Sequence, residues 1–209
     1  MVNPTSLKVA IIGGSIWGNR GAAAMLETTI ARLRQIRQDV QLVVFTPYPQ
    51  KDQHLAGSPG LAYFDSRPQA LVGYFISAAA GWLWKKLGGK PRFSGAVQAL
   101  SESALLLDVG GITFADGRLI FLPYNILTLW PAMLLGVPVV KLSQAAGSFK
   151  NPIIRALARV FLSRCQMTFA RGEKTREYLA GLGLSEAVYQ PAADAAFCFQ
   201  PAYCLTKEN

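Results

Sequence analysis

"LKVAIIGGSIWGNRGAAAML", residues 7–26, decides the fold. A short apolar run ends on Gly13-Gly14, and an alanine-rich segment follows almost at once. A strand that stops on glycines and turns straight into a helix is the opening of a βαβ unit. The glycines let the backbone turn tightly and approach a ligand, and the amide groups at the helix start suit an anion. Two nucleotide signatures are excluded. Gly14-x3-Gly18-x2-Gly21 holds one residue too many for the dinucleotide pattern, and no Gly-Lys-Ser/Thr follows. The loop therefore reads as anion- or sugar-facing, with Gly18 and Gly21 shaping it and Asn19 as its polar contact. The alternative is a tight turn with no ligand.

Outward from this stretch the same alternation continues. Strands are expected at 7–12, 40–45, 104–109, 137–143, 166–170 and 187–190. Helices are expected at 21–38 and roughly 120–136, 151–164 and 173–182. In 21–38, Met25, Thr29, Leu33 and Ile36 form one stripe with Arg32, Arg34 and Arg37 off it. Gly136 and Gly181/Gly183 mark helix ends. Residues 46–68, rich in Pro, Gly, Asp and Ser, read as a long loop. Continuous apolar strands alternating with helices predict an α/β fold, a doubly wound, mostly parallel, Rossmann-like sheet covered on both faces. The expected organisation is a single domain over 1–209 with an apolar and basic helical insertion at about 68–92.

Composition agrees. Of 209 residues 51% are hydrophobic and 16% charged, so the chain can bury a core, and its net charge of +9 favours anionic partners. No aromatic-basic motif supports nucleic-acid binding. Cys165, Cys198 and Cys204 form no CxxC motif or Cys/His cluster and read as reduced apolar fillers. The single histidine, His54, reads as a surface residue, and no metal site is expected. The amino-terminal apolar run is too short and too quickly bounded by glycine for a signal peptide. "ALVGYFISAAAGWLW" (70–84) has no charge and is followed by Lys85, Lys86, Lys90 and Arg92. It falls short of the ~20 residues that span a bilayer. Residues 70–92 are therefore expected to pack in the core or to contact a membrane surface or partner. The expected location is cytoplasmic, with a peripheral position at the inner membrane face as the extension of that reading.

In a doubly wound sheet, ligands gather at the carboxyl ends of the strands. "DVGGITFADGR" (108–118) offers Asp108 and Asp116, which could bind a sugar hydroxyl or take a proton, and a turn role for Asp116 is the alternative. "SQAAGSF" (143–149) offers Gln144, Gly147 and Ser148 for polar recognition. Arg171 stands at a strand end before a helix, where a guanidinium can grip a carboxylate or phosphate; a pair with Glu173 or Glu177 is the alternative. Asp194 in "PAADAAF" is a further candidate, with a helix cap or turn as its plainer role.

Taken in order, these loops resemble the polysaccharide pyruvyl transferase family. "GNRGAAAML" is similar to its Asn-x-Gly segment. "LLDVGGITFAD" resembles its strand-end glycine segment, "GVPVVKLSQAAGSF" its GxPVxxxxQxxGPF stretch, and "ARGEKTREYLAGLGL" with "ADAAF" its closing pattern. The resemblance implies the amino-terminal domain of a glycosyltransferase-B-like architecture. It implies phosphoenolpyruvate as donor substrate, no cofactor, and transfer of a pyruvyl group to a sugar hydroxyl as a ketal in exopolysaccharide biosynthesis. It matches Asn19 and Gly21, Asp108, Gly110 and Gly111, Gln144 and Gly147, Arg171, and Asp194 to the family's loops. Four positions depart from the pattern. Ala22-Ala23 stand where many members carry Asp-Glu, Gly172 replaces an Asp, and Ser148 replaces a Pro. The family's second domain is absent from the sequence read, which is expected to be a fragment, a truncated gene product or one part of a split protein, so this chain alone, the acceptor-side half, is expected to be inactive. The acceptor is a glycan or lipid-linked sugar. A non-catalytic module that binds a glycan or partner is the rival reading.

Overall fold

The structure, a computed structural model, describes residues 7–55 and 60–199. Among these, eight strands form one sheet: β1 (Lys8–Ile12), β2 (Gln41–Thr46), β3 (Leu61–Asp65), β4 (Leu105–Asp108), β5 (Ile112–Ala115), β6 (Val139–Gly147), β7 (Met167–Arg171) and β8 (Tyr189–Ala192). The order is β3-β2-β1-β4-β6-β7-β8, with β5 on the outer half of β6, and the strand pairs are parallel. The helices are α1 (Arg20–Ile36), α2 (Pro49–Leu55), α3 (Pro68–Lys86), α4 (Gly95–Ser101), α5 (Leu122–Leu127), α6 (Trp130–Leu135), α7 (Pro152–Leu162) and α8 (Glu173–Gly181). This is the α/β, doubly wound, Rossmann-like sheet that the alternation predicts.

The continuous apolar strands are explained by two covered faces. Val9, Ile11, Leu42, Val44 and Leu107 point to one side, where Leu26 and Ile30 of α1 meet them. Their neighbours Ala10, Ile12, Val43, Phe45 and Leu106 point to the other, against α3 to α7. With a side-chain period of two, each strand feeds both cores.

Four differences from the sequence reading have physical reasons. Residues 46–68 are not all loop: they hold α2 and the edge strand β3, whose β-forming "LAYF" is masked by the Ser-Pro-Gly before it and the Asp after it. The helix expected over 120–136 is two. Pro123 and Pro131 sit in the first turns of α5 and α6, where a missing N–H costs nothing, so each starts a helix instead of continuing one. On α1 the buried residues are Met25, Leu26, Thr28, Thr29 and Ile30, while Ile36 in the last turn is 82% exposed. Finally, 68–92 is not an insertion. The α3–α4 pair is the crossover that returns the chain from edge strand β3 to β4 beside β1, as a doubly wound sheet requires where its order reverses. Leu71, Ala78 and Gly81 of α3 are buried, and a Cβ on Gly81 would lie 2.3 Å from the Phe93 ring.

The cysteines divide. Cys165 is a buried filler whose thiol is pushed up to about 11 by burial, whereas Cys198 is exposed rather than packed. Cys204 lies outside the described residues. His54 is exposed at the end of α2.

Candidate functional site

The strand order reverses between β1 and β4, and a crevice opens there at the carboxyl ends of the strands. It is a cleft of about 490 Å³, within the size range of small-molecule sites. Gly13 follows β1, Gly110 and Gly111 follow β4, Gln144 comes from β6 and Arg171 from β7, while Asn19 and Gly21 stand at the mouth.

The floor is a charge pair. Lys141 is fully buried and its Nζ contacts Asp108 Oδ2, while the Gly110 N–H donates to Asp108 Oδ1 at 2.9 Å. Gln144 Nε2 donates to the Asp108 carbonyl at 3.0 Å. The pairing of β6 with β7 slips between Lys141 and Gln144, and Ser143 has φ +47°. That bulge brings Lys141 and Gln144, three apart on a strand, onto the same neighbour. Gln144 Oε1 is buried without a hydrogen-bond partner, the one such atom in the cleft wall among the described residues. The stretch 143–149, read above as a loop, thus continues as strand to Gly147. Asp108, expected to be open to substrate, has both carboxylate oxygens engaged; it holds the β4 turn in shape.

Arg171 lines the cleft as expected, but its partner is neither Glu173 nor Glu177. Those pair with Arg176 and Lys174. Arg171 Nη1 instead meets Asp194 Oδ2 at 2.7 Å, and Asp194 Oδ1 accepts from the Ala196 N–H at 2.9 Å. Ser143 Oγ donates to the Ala193 carbonyl and accepts from the Ala195 N–H, tying this loop to β6. Asp194 is therefore both a cap and the group that orients Arg171.

Other expected contacts fall elsewhere. Asn19 Oδ1 accepts from the N–H groups of Gly21 (2.9 Å) and Ala22 (3.1 Å). It caps α1, so its oxygen and two of the amides expected to face an anion are already satisfied. Gly18, φ +90° with nothing within 4 Å of where a Cβ would stand, shapes the turn and does not line the cleft. Gly147 and Ser148 do not line it either. A Cβ on Gly147 would strike the Tyr178 ring at 2.2 Å, so this glycine serves packing.

Asp116 is likewise corrected from an acid–base candidate to a clamp. Its carboxylate accepts from Ser148 Oγ and the Lys150 N–H, both at 2.7 Å, and from the Asn151 N–H at 3.2 Å. These bonds, the Lys150 amide first, hold its pKa below the usual carboxylate range. Its contribution to stability is thus present above that range and lost as pH falls through the lowered value. Asp116→Asn should lower the thermal midpoint at neutral pH, and the gap to the parent should close on acidification. A gap that stays constant across the acid range would show that the carboxylate's charge is not what clamps the loop.

Several cleft residues escaped the sequence reading: Arg118, Phe121, Tyr124, Asn125 and Thr128. They lie before, on and just after α5, beyond β5, a strand too short to register in the sequence. Their signal would have been positions 118, 121, 125 and 128, spaced three and four apart and mostly polar inside an otherwise apolar segment. Burial chiefly pushes the Tyr124 hydroxyl up, so it stays protonated at neutral pH. The loop from Gly13 to Asn19 is itself held by a residue not singled out. Asp52, fully buried, accepts from the Trp17 N–H (2.8 Å) and from Thr46 Oγ1 (2.5 Å), and Lys51 Nζ lies 4.0 Å over the Trp17 ring. Among the described residues no three His, Cys, Asp or Glu side chains converge as metal ligands.

Comparison with known proteins gives two matches. Residues 19–208 match the family model for polysaccharide pyruvyl transferase. The chain is also similar to the amylovoran biosynthesis protein AmsJ of Erwinia amylovora, 20% identical over a 208-residue alignment that covers 91% of this chain and 49% of that protein. The chain therefore spans about half the length of that relative.

Proposed function

The chain belongs to the polysaccharide pyruvyl transferase family, and from that premise we propose that the cleft over the β1–β4 reversal serves transfer of a pyruvyl group from phosphoenolpyruvate to a sugar. Two sugar hydroxyls add to C2 of the enol, C3 takes a proton to become a methyl group, and phosphate leaves. The chain acts as the amino-terminal, acceptor-side half of a glycosyltransferase-B-like enzyme, with a second domain closing the cleft. The observation that carries this reading is the cationic character of the lining. Arg118 and Arg171 both reach the cleft, and the one carboxylate in its wall among the described residues, Asp108, is neutralised by Lys141. Arg171 commits only Nη1 to Asp194, which leaves the rest of its fork for a carboxylate or phosphate. Gln144, with its unpaired oxygen, is the natural acceptor for a ligand hydroxyl.

Arg171→Lys tests this. A lysine keeps the charge but cannot reproduce the fork, so phosphoenolpyruvate affinity measured by calorimetry should fall by ~2 kcal/mol, roughly thirtyfold, on the scale of a charge-assisted hydrogen bond. Thermal stability should change little, because the Asp194 pair is partly exposed and such pairs contribute ~0–1 kcal/mol. Undiminished affinity in Arg171→Lys and Arg171→Ala would remove Arg171 from the donor site. One observation favours a second reading, a non-catalytic glycan-binding module: the only carboxylate in the cleft wall among the described residues, Asp108, has no free oxygen to take a proton. Binding of a glycan without any binding of phosphoenolpyruvate would select that reading.

A further inference from the structure

The helices of one face, α3 to α7, contain no acidic residue, and the chain has none between Asp65 and Glu102 or between Asp116 and Glu173. The cations on that side are numerous. Lys85, Lys86, Lys90, Arg92 and Arg164 make no ion pair among the described residues. Beside them stand large exposed apolar side chains: Trp82 (42%), Leu83, Trp84 (57%), Leu87 (73%), Trp130 and Val160. Trp82, Trp130, Val160 and Arg164 share one apolar groove, and Lys86 Nζ lies 4.3 Å over the Trp82 ring. The patch is thus aromatic and aliphatic at its centre and basic at its rim. Three of the four tryptophans of the chain are in it.

We propose that this patch seats the protein on an anionic membrane surface. Tryptophan rings settle at the water–lipid boundary because one part is apolar and the N–H is polar, and basic side chains at the rim meet lipid phosphates. A nucleic acid would use the cations but leave Leu83 and Leu87 in water. The contact is peripheral: among the described residues no helix is long and apolar enough to cross a membrane. The topology also places it. The α3 helix leaves the carboxyl edge of the sheet after β3 and runs back along it, so Trp84 lies about 24 Å down the helix from Pro68 at 1.5 Å per residue. The patch therefore sits toward the amino edge of the strands and the cleft at the carboxyl edge. The contact anchors the protein with its cleft turned from the bilayer, rather than feeding lipid into the cleft. This inference does not rest on the proposed reaction.

The test is co-sedimentation of the purified chain with phosphatidylglycerol-containing and with pure phosphatidylcholine vesicles, with tryptophan emission recorded in parallel. Binding to the anionic vesicles alone, a blue shift, and weakening with added salt are expected. Lys85→Gln/Lys86→Gln should reduce partitioning by about thirtyfold, the loss expected for two surface charges. Leu83→Ser/Leu87→Ser, two exposed positions, should abolish the blue shift while circular dichroism stays that of the parent. Absence of binding to phosphatidylglycerol, equal binding to neutral vesicles, or an undiminished Lys85→Gln/Lys86→Gln variant would overturn the proposal. So would a soluble oligomer that the same substitutions dissociate and that ignores vesicles, which would make the face a protein interface.

Discussion

Lys141→Met is expected to destabilise the protein by about 3–5 kcal/mol, the range for removing one partner of a buried ion pair. Lys141 is fully buried and its ammonium contacts Asp108, whose side chain is only 7% exposed. Methionine matches the aliphatic stem of lysine in length, so packing is nearly preserved and the loss is electrostatic. What remains is a buried carboxylate with the Gly110 N–H as its side-chain partner. The double variant Asp108→Asn/Lys141→Met removes both charges and should recover part of the loss, because a neutral pair has no uncompensated charge to bury. Guanidinium unfolding of parent, single and double variants measures this, with the slope checked for constancy. A single variant within ~1 kcal/mol of the parent would show that water or a rearranged partner reaches Asp108.

The same pair shows where reading a sequence stops. The parallel sheet is legible because β1, β2 and β4 carry continuous apolar runs, as strands covered on both faces do. Arg171 is legible because it ends a short strand. Lys141 was not singled out, since a lysine inside "VPVVKLS" looks like an ordinary interruption until its carboxylate is placed beside it by a parallel pairing 33 residues distant. Asp52 escaped for the same reason: its partners Trp17 and Thr46 come from two other elements. Asn19 stands out in the sequence, but its role does not. The pattern Asn-x-Gly before a helix serves a cap and a ligand contact equally well, and the distances to Gly21 and Ala22 decide for the cap. Gln144 reads as a loop residue in the sequence because the bulge at Ser143 breaks the period of two on which strand recognition depends.

Gly13→Ala should be the most damaging single-methyl change at the cleft, costing about 2–4 kcal/mol from overpacking and left-handed backbone strain together. The residue has φ +89°, and a Cβ built there would lie 2.5 Å from Asp108 Oδ1 and 2.6 Å from the Gly110 nitrogen. Neither atom can yield cheaply. Gly110 is backbone, and Asp108 is fixed by Lys141 on one oxygen and by the Gly110 N–H on the other. Relief must come from parting the ends of β1 and β4, which form the cleft floor. Gly18→Ala is the matched control. It has the same backbone sign, φ +90°, with no atom within 4 Å of the added methyl, so it should carry only the backbone term of ~1–2 kcal/mol. The difference between the two variants isolates the contact. On the proposed reading, Gly13→Ala should also weaken phosphoenolpyruvate binding, whereas Gly18→Ala, outside the cleft wall, should not. Equal losses of stability in the two would mean that the floor between β1 and β4 gives way without cost. In that case the close approach of Gly13 to Asp108 is not what sets the shape of the site.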